Sequence, residues 1–492
     1  MRAFGVIGAV CLLVVPVLSA CTSLLGDFQT GATSSDGGKG GDVVVHDATT
    51  FEDSGEDSGS SEDSGDDGGL DAMMTSTMDN YVAPDHSAPP PGDAGKDASP
   101  PVHGNGTFQA VQDVPFVVGS DLGPGTGSAG PAPTGLIEAD LNNDGVPDLA
   151  ACTSAGIVVF LSKNGTFQQV ETSDNSVSNC VSLAAFDQNN DGYLDLAVLT
   201  QGPSPTLYVF TNQDGVDFYI EASQSTAGPT VIGLSGTPKF VAADDFNRDG
   251  LTDIAVTDGS SLQLYKNTYP TTYGLQFAAT ISTNEQAGDV VFRDLNGDTF
   301  PDAVVGASAY NAYTYTALAT TPPPTPYFAT SGSALDYGGD PYPSMAAMPL
   351  GVATGDFDGD GLIDVAVANQ GTNDVTAFYN EGNSSGTYLN FTSGSSSYNP
   401  PHYAVGTAPY DLASGDFNGD GAWDLVTSVS GGHLALLMGQ PKTRAFASPP
   451  PANLTPSAQT SSIVVADFNN DHKLDIAALY TTKPGVAVFF GE

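Results

Sequence analysis

From about residue 106 to Glu492, short apolar runs alternate with polar segments on one repeating schedule. A run such as Leu136-Ile137-Glu138-Ala139, Phe240-Val241-Ala242-Ala243 or Ile463-Val464-Val465-Ala466 comes first. An acidic stretch of nine residues follows, then a second run: Leu149-Ala150-Ala151, Ile254-Ala255-Val256 or Ile476-Ala477-Ala478. After a glycine-rich turn comes a third run, such as Ile157-Val158-Val159-Phe160-Leu161 or Leu207-Tyr208-Val209-Phe210. The unit ends in a stretch led by Phe167, Phe218, Phe277, Phe328, Phe391 or Phe446. Short apolar runs rich in β-branched residues and bounded by Gly, Asp and Asn read as strands, and no segment carries helical periodicity. The schedule predicts four short strands per unit.

The acidic stretches share one internal register. In Asp356-Phe357-Asp358-Gly359-Asp360-Gly361-Leu362-Ile363-Asp364, oxygen-bearing side chains stand at positions 1, 3, 5 and 9, and a glycine at position 6. The same register holds in Asp140/Asn142/Asp144/Asp148, Asp187/Asn189/Asp191/Asp195 and Asp245/Asn247/Asp249/Asp253. It holds again in Asp294/Asn296/Asp298/Asp302, Asp416/Asn418/Asp420/Asp424 and Asp467/Asn469/Asp471/Asp475. Ca²⁺ takes six to eight oxygens in flexible geometry, and loops that alternate ligand and spacer supply them. Gly361 permits the tight turn around such an ion. An EF-hand would close with Glu at position 12 between helices; these loops close with Asp at position 9 and run straight into a strand. Position 6 is Thr299 in the fourth loop and His472 in the seventh, where glycine's freedom at positive φ is lost. Weaker cation binding, or an empty site, is expected in those two.

Successive loops begin 47 to 62 residues apart, a period that fits a four-stranded propeller blade. The seventh unit stops just after its third strand, Val486-Ala487-Val488-Phe489-Phe490. Its missing Phe-led strand stands ahead of the first loop, as Gly106-Thr107-Phe108-Gln109-Ala110-Val111. An N-terminal strand completing the last blade closes a ring and removes exposed sheet edges. The expected fold is therefore all-β, a seven-bladed β-propeller with calcium-binding loops over 106–492. Closely packed thrombospondin-type calcium loops are the alternative, but those are rich in Cys.

The DFNGDG-type loop followed by D-[LIV]-[AV]-[AV], seven times over, resembles the FG-GAP/VCBS repeat family. Integrin α-subunit propellers share that architecture and carry similar loops. The resemblance implies fold more than function, since family members include adhesins, carbohydrate binders and propellers attached to enzymes.

The first 105 residues read differently. Arg2 precedes an apolar run from Ala3 to Val17, too short for a comfortable span and shaped like a signal peptide. It ends in Leu18-Ser19-Ala20-Cys21, which resembles the bacterial lipobox. That resemblance implies cleavage after residue 20 and lipidation of Cys21, against an ordinary secretory signal. It implies a membrane anchor, and Thr22 after the cysteine implies passage to the outer membrane or surface of a Gram-negative bacterium. Residues 21–105 carry Asp/Glu/Ser/Gly repeats and proline clusters, and read as a disordered acidic tether.

Charge changes little in this picture. The net charge is -45, but the tether holds 17 of the 57 acidic residues and the loops 22. With only 12 Lys+Arg, nucleic-acid binding is excluded. Beyond Cys11 and Cys21, Cys152 ends a second strand and Cys180 begins the next blade's first strand. Both lie toward the end opposite the loops, as a disulfide or as two buried thiols. The six histidines are scattered, and no catalytic motif is present. The expected function is calcium-stabilised, non-catalytic binding of a protein or polysaccharide at the cell surface. A propeller enzyme acting on polysaccharide at its central face and a structural surface component are the alternatives.

Overall fold

The computed structural model describes residues 106–115, 135–153, 156–170, 177–212, 215, 218–219, 231–271, 274–283, 286–307, 311–318, 327–335, 349–382, 391, 400–447 and 454–492. The segments read as signal peptide and tether, with Cys21, lie outside these residues.

Every regular element described is a β-strand, and the strands form seven antiparallel sheets. Blade 1 runs Leu136–Ala139, Asp148–Thr153, Gly156–Lys163 and Thr166–Val170. The first strands of blades 2 to 7 are Cys180–Phe186, Pro238–Asp244, Ala287–Arg293, Pro349–Gly355, Pro409–Gly415 and Thr460–Ala466. Each first strand touches the first strand of the blade before and of the blade after, so the seven close into a ring.

The second strands explain the alanine- and valine-rich runs. Six of the seven are buried at every position, from Asp148–Thr153 to Asp475–Tyr480. A strand sandwiched between two neighbouring sheets has no solvent face, so its pattern is a continuous run instead of an alternation. The apolar core is accordingly divided among blade interfaces. Phe160 and Val158 of blade 1, for example, pack against Val464, Leu479 and Val488 of blade 7. A single blade cannot bury its own faces, and only the closed ring does so.

Closure is made by the N-terminal strand Gln112–Val114, which pairs antiparallel with Val486–Phe489 in the register Gln112↔Val488, Asp113↔Ala487 and Val114↔Val486. The paired residues thus lie just beyond the Gly106–Val111 stretch expected from sequence. Phe108 makes only an isolated bridge to Gly491, its ring set edge-on to Phe417 at 5.5 Å, and regular pairing resumes at Gln112. The seam is reinforced by Asp113, which accepts from Lys483 Nζ at 3.0 Å, from Ser457 Oγ and from the Tyr480 hydroxyl.

The Phe-led element is a true strand only in part. Phe167 lies in Thr166–Val170 and Phe277 in Leu275–Ser282, whereas Phe328 and Phe446 make single bridges to Ala317 and Gly439. Three of these phenylalanines share a contact with the preceding blade, whereas Phe277 is 60% exposed and meets Tyr265 of its own blade. Phe167 meets Phe468, Phe328 meets Phe246 and Phe446 meets Phe357, with ring centroids at 5.8, 5.9 and 5.6 Å. Their partners are the position-2 residues of the acidic loops, all fully buried. Cys152 and Cys180 are joined in a disulfide between blades 1 and 2, with Cα atoms 5.3 Å apart.

Candidate functional site

Each acidic loop is built on one hydrogen-bond frame. The position-1 carboxylate accepts the N–H groups of positions 5 and 6, as Asp140 does from Asp144 and Gly145 at 3.1 and 2.9 Å. Asp356 accepts from Asp360 and Gly361 at 2.9 and 2.8 Å. Asp187, Asp245 and Asp416 hold their own positions 5 and 6 in the same way.

The predicted position-5 ligands each accept from position 7. Asp144, Asp191 and Asp249 take the N–H of Val146, Tyr193 and Leu251 at 3.0, 2.9 and 3.2 Å. Asp298, Asp360, Asp420 and Asp471 take those of Phe300, Leu362, Ala422 and Lys473, at 2.9, 2.9, 2.9 and 3.0 Å. These short local bonds are the Asx-type turns that Asp and Asn favour, and they fold the loop back on its first residue.

Position 3 is less uniform. Asn142, Asn189 and Asn296 accept the N–H of Asp144, Asp191 and Asp298 at 2.9, 3.0 and 2.8 Å. Asn418 and Asn469 do the same for Asp420 and Asp471, at 2.9 and 2.8 Å. Asn247 departs from them, since its amide nitrogen donates to the Asp253 carboxylate. The amide of Asn296 also donates to its position 9, reaching Asp302 at 3.1 Å.

Position 9 has a separate task. Asp148, Asp195, Asp253, Asp302, Asp364, Asp424 and Asp475 open the second strands and are fully buried. Asp424 accepts the N–H of Phe417 at 2.9 Å and that of Gly439, past the third strand, at 2.7 Å. Asp475 does the same with Phe468 and Gly491, at 2.9 and 2.8 Å. The position-9 carboxylate therefore ties the loop, the second strand and the end of the third strand together. Burial pushes these groups above the ordinary 3.8, Asp148, Asp302 and Asp475 to about 7 and Asp424 to about 8. Neighbouring carboxylates of the same loop push in the same direction.

The position-6 exceptions keep the frame. Thr299 and His472 adopt φ of 75° and 66°, close to the 83° to 89° of the five glycines. Their N–H groups still reach Asp294 and Asp467, both at 2.7 Å.

The seven predicted ligand sets are thus not equally drawn together. Among the described residues, three carboxylates converge in the fifth loop alone, where oxygens of Asp356, Asp358 and Asp364 lie within 4.8 Å of one another. Asp360 at position 5 is not one of the three. In the other six loops position 3 is an amide, and the carboxylates at positions 1, 5 and 9 do not all come within that distance. The reason is local: Asp144, Asp191, Asp249, Asp298, Asp420 and Asp471 are turned onto backbone N–H groups, while position 9 is held at the strand. Asn142, Asn189, Asn296, Asn418 and Asn469 each spend one lone pair on the turn, and a carbonyl oxygen has a second. Asn247 presents a donor to Asp253, the wrong end of the amide for a cation.

In the fifth loop, Oδ1 of the buried Asp358 has no hydrogen-bond partner. An oxygen-only donor set with an unsatisfied buried carboxylate oxygen fits a hard divalent cation. Asp358 is itself pushed up by burial and by Asp360 and Asp356, with Arg444 opposing.

Two basic residues were not singled out from sequence. Lys266 Nζ sits 2.6 Å from Asp249 of the third loop. Arg444 of blade 6 lies 3.4 Å from Asp358 and 2.5 Å from Glu381. Lys266 directly precedes Asn267, whose N–H bonds to Asp253, so the repeat register alone could have placed it beside the loop. Arg444 belongs to the connection between the third strand and Phe446, whose length and residues differ from blade to blade, and no local signal marks it.

At the opposite end of the ring, where the first strands begin, a cavity of about 410 Å³ opens on the axis. All seven blades line it, among them Ser182, Phe240, Asp289, Tyr410, Asp411 and Ser462. Six of the first strands are bulged here, for instance between Pro409 and Leu412. Such bulges re-aim backbone groups. Side chains then bridge blades: Ser182 accepts from Val241, Asp289 from Val352, Asp411 from Ile463 and Ser462 from Leu136, at 3.2, 3.4, 2.8 and 3.3 Å.

Residues 140–198, 245–305, 356–427 and 416–478 match the FG-GAP-like repeat family, and each acidic loop falls inside a match. No curated protein matches the chain. Among solved structures, BBS1N in complex with ARL6DN, from a mercury-soaked crystal, is similar at 10% identity and a TM-score of 0.46, over 74% of this chain and 94% of that one. Virginiamycin B lyase from Staphylococcus aureus, as the selenomethionine protein, is similar at 9% identity and 0.46, over 78% of this chain and 99% of that one. Likeness at this level carries no ligand or activity across. The chain is thus a seven-bladed β-propeller of FG-GAP-like repeats.

Proposed function

We propose that this protein is a calcium-stabilised binding module, anchored by lipid at Cys21 to the outer membrane or cell surface, which recognises a protein or polysaccharide without chemistry. The observation behind this reading is a division between the two ends of the ring. One end repeats an oxygen-rich loop seven times; the other surrounds a recess whose lining changes from blade to blade. In this reading positions 1, 3, 5 and 9 hold Ca²⁺, which relieves the repulsion among buried carboxylates and fixes the blades. The loops with Thr299 and His472 bind it more weakly.

Recognition is assigned to the recess, where Tyr410 is 41% exposed beside hydroxyl and carboxylate groups. A glycan and protein-partner screen, run with and without chelator, tests the reading. A ligand lost on Tyr410→Ala with the fold intact supports it; turnover of a polysaccharide overturns it. Cell fractionation of Cys21→Ser tests the anchor, and unchanged membrane partitioning of that variant defeats it.

A further inference from the structure

We infer that Arg444 is a resident counter-cation of the fifth loop and sets how tightly that loop takes a divalent cation. The inference rests on the calcium reading above and concerns a residue outside the repeated loop register.

The fifth loop departs from the other six in one respect. Position 3 is Asp358, where each of the others has asparagine. This most heavily charged loop is also where a guanidinium from the next blade arrives. The segment carrying it is clamped in place: the Lys442 N–H donates to the Asp358 carbonyl at 2.5 Å, and Pro441 lies against Gly359. Arg444 Nη1 is anchored on Glu381 Oε1 at 2.5 Å, while its Nε reaches Asp358 Oδ2 at 3.4 Å. Glu381 follows Asn380, whose N–H bonds to Asp364, so loop, anchor and guanidinium are held by the same frame.

Asp358 thus presents two different oxygens. Oδ2 faces Arg444, and Oδ1 is buried with no hydrogen-bond partner, on a carboxylate that converges with those of Asp356 and Asp364. The planar guanidinium engages the outer oxygen and leaves the inner one for a small hard cation. The two cations share one carboxylate, and each lowers the negative potential that holds the other. Arg444 therefore stabilises the loop when it lacks an ion and weakens its hold on one that arrives. A purely structural arginine would behave otherwise, since its loss would loosen the ion and the fold together.

The test titrates Ca²⁺ into the full chain by calorimetry, for wild type, Arg444→Gln, Arg444→Lys, Asp358→Asn and the double variant Asp358→Asn/Arg444→Gln. Arg444→Gln should tighten one site about threefold to tenfold, a partly screened charge effect because Arg444 is 45% exposed. In EDTA the same variant should melt earlier than wild type. Arg444→Lys, which keeps the charge and folds as wild type, should leave the affinity unchanged. In the Asp358→Asn background Arg444→Gln should change little, because the shared carboxylate is gone. Unchanged or weaker binding by Arg444→Gln overturns the inference while leaving calcium binding in place. A wild-type chain that binds no Ca²⁺ overturns the calcium reading itself, and this inference with it.

Discussion

At the loop end of the ring, seven blades repeat one hydrogen-bond frame; at the channel end, adjacent blades all present different groups. The third position of the first strand, or its equivalent, is in order Gly135, Ser182, Phe240, Asp289, Gly351, Asp411 and Ser462. The loop end is uniform because each blade poses the same local problem. A turn must be closed, and two buried N–H groups must find an acceptor. The channel end is free to vary because its side-chain bridges are made at some steps only, from Ser182, Asp289, Asp411 and Ser462, and a hydroxyl or a carboxylate serves. Repetition marks the end that holds the fold, and variation the end assigned to recognition.

Removing calcium should give the largest effect, confined to the loop end. Each occupied site adds RT ln(1 + [L]/Kd), about 1.4 kcal/mol at a tenfold excess over Kd, and several sites add. The pH dependence has a definite sign. Position-9 carboxylates whose folded values lie above 3.8 contribute stability that is complete below the unfolded value and lost as pH rises through about 7 to 8. In EDTA, scanning calorimetry should therefore show a lower Tm at about pH 8 than at about pH 5. Saturating calcium should reverse that order, since the ion takes the place of the protons. Identical melting curves in calcium and EDTA would refute the metal assignment for all seven loops.

A direct comparison of the two ends comes next in size. Asp424→Ala leaves two buried N–H groups without acceptors and should cost about 2–5 kcal/mol in urea unfolding. Ser182→Ala removes a single acceptor, from Val241, and should cost about 1 kcal/mol. Equal costs would remove the distinction between the ends.

A smaller effect separates loops that share the frame. Thr299→Gly relieves a β-branched residue held at φ 75° and should stabilise the protein by about 1 kcal/mol. Gly361→Thr should do the reverse, because Gly361 sits at φ 89° with open space around it. The smallest effect on stability belongs to Tyr410→Ala. Its side chain is 41% exposed and lines the recess, so unfolding should change by only about 0.5 kcal/mol while ligand capture is lost. A large loss of stability would make Tyr410 a structural residue.

Much of the fold is legible in the chain because its information is local. Ligand pattern, turn and following strand all lie within a dozen residues and recur seven times, and a truncated last unit facing an orphan Phe-led stretch reveals the closure. The exact pairing of that closure is less legible. The edge-on contact of Phe108 with Phe417 and the register with Val486–Phe489 together decide that Gln112–Val114 pairs, and both contacts are hundreds of residues distant. The candidate site is legible as a register but not as a geometry. Asn142 and Asn247 occupy the same position, yet one accepts from its own turn and the other donates to the strand.

The sequence by itself determined the β-strand period, the number of blades and the seven acidic loops. Each follows from residue type at short spacing. Only the tertiary structure decided the rest. It joined Cys152 to Cys180, where spacing left a disulfide and two thiols open, because neighbouring blades bring their Cα atoms to 5.3 Å. It set Lys266 beside the third loop and Arg444 beside the fifth. It also kept Thr299 and His472 in the glycine conformation, since the carboxylates of Asp294 and Asp467 hold their N–H groups there. The disulfide and the two basic neighbours depend on segments that meet only when the blades assemble, and no short-range pattern encodes such meetings.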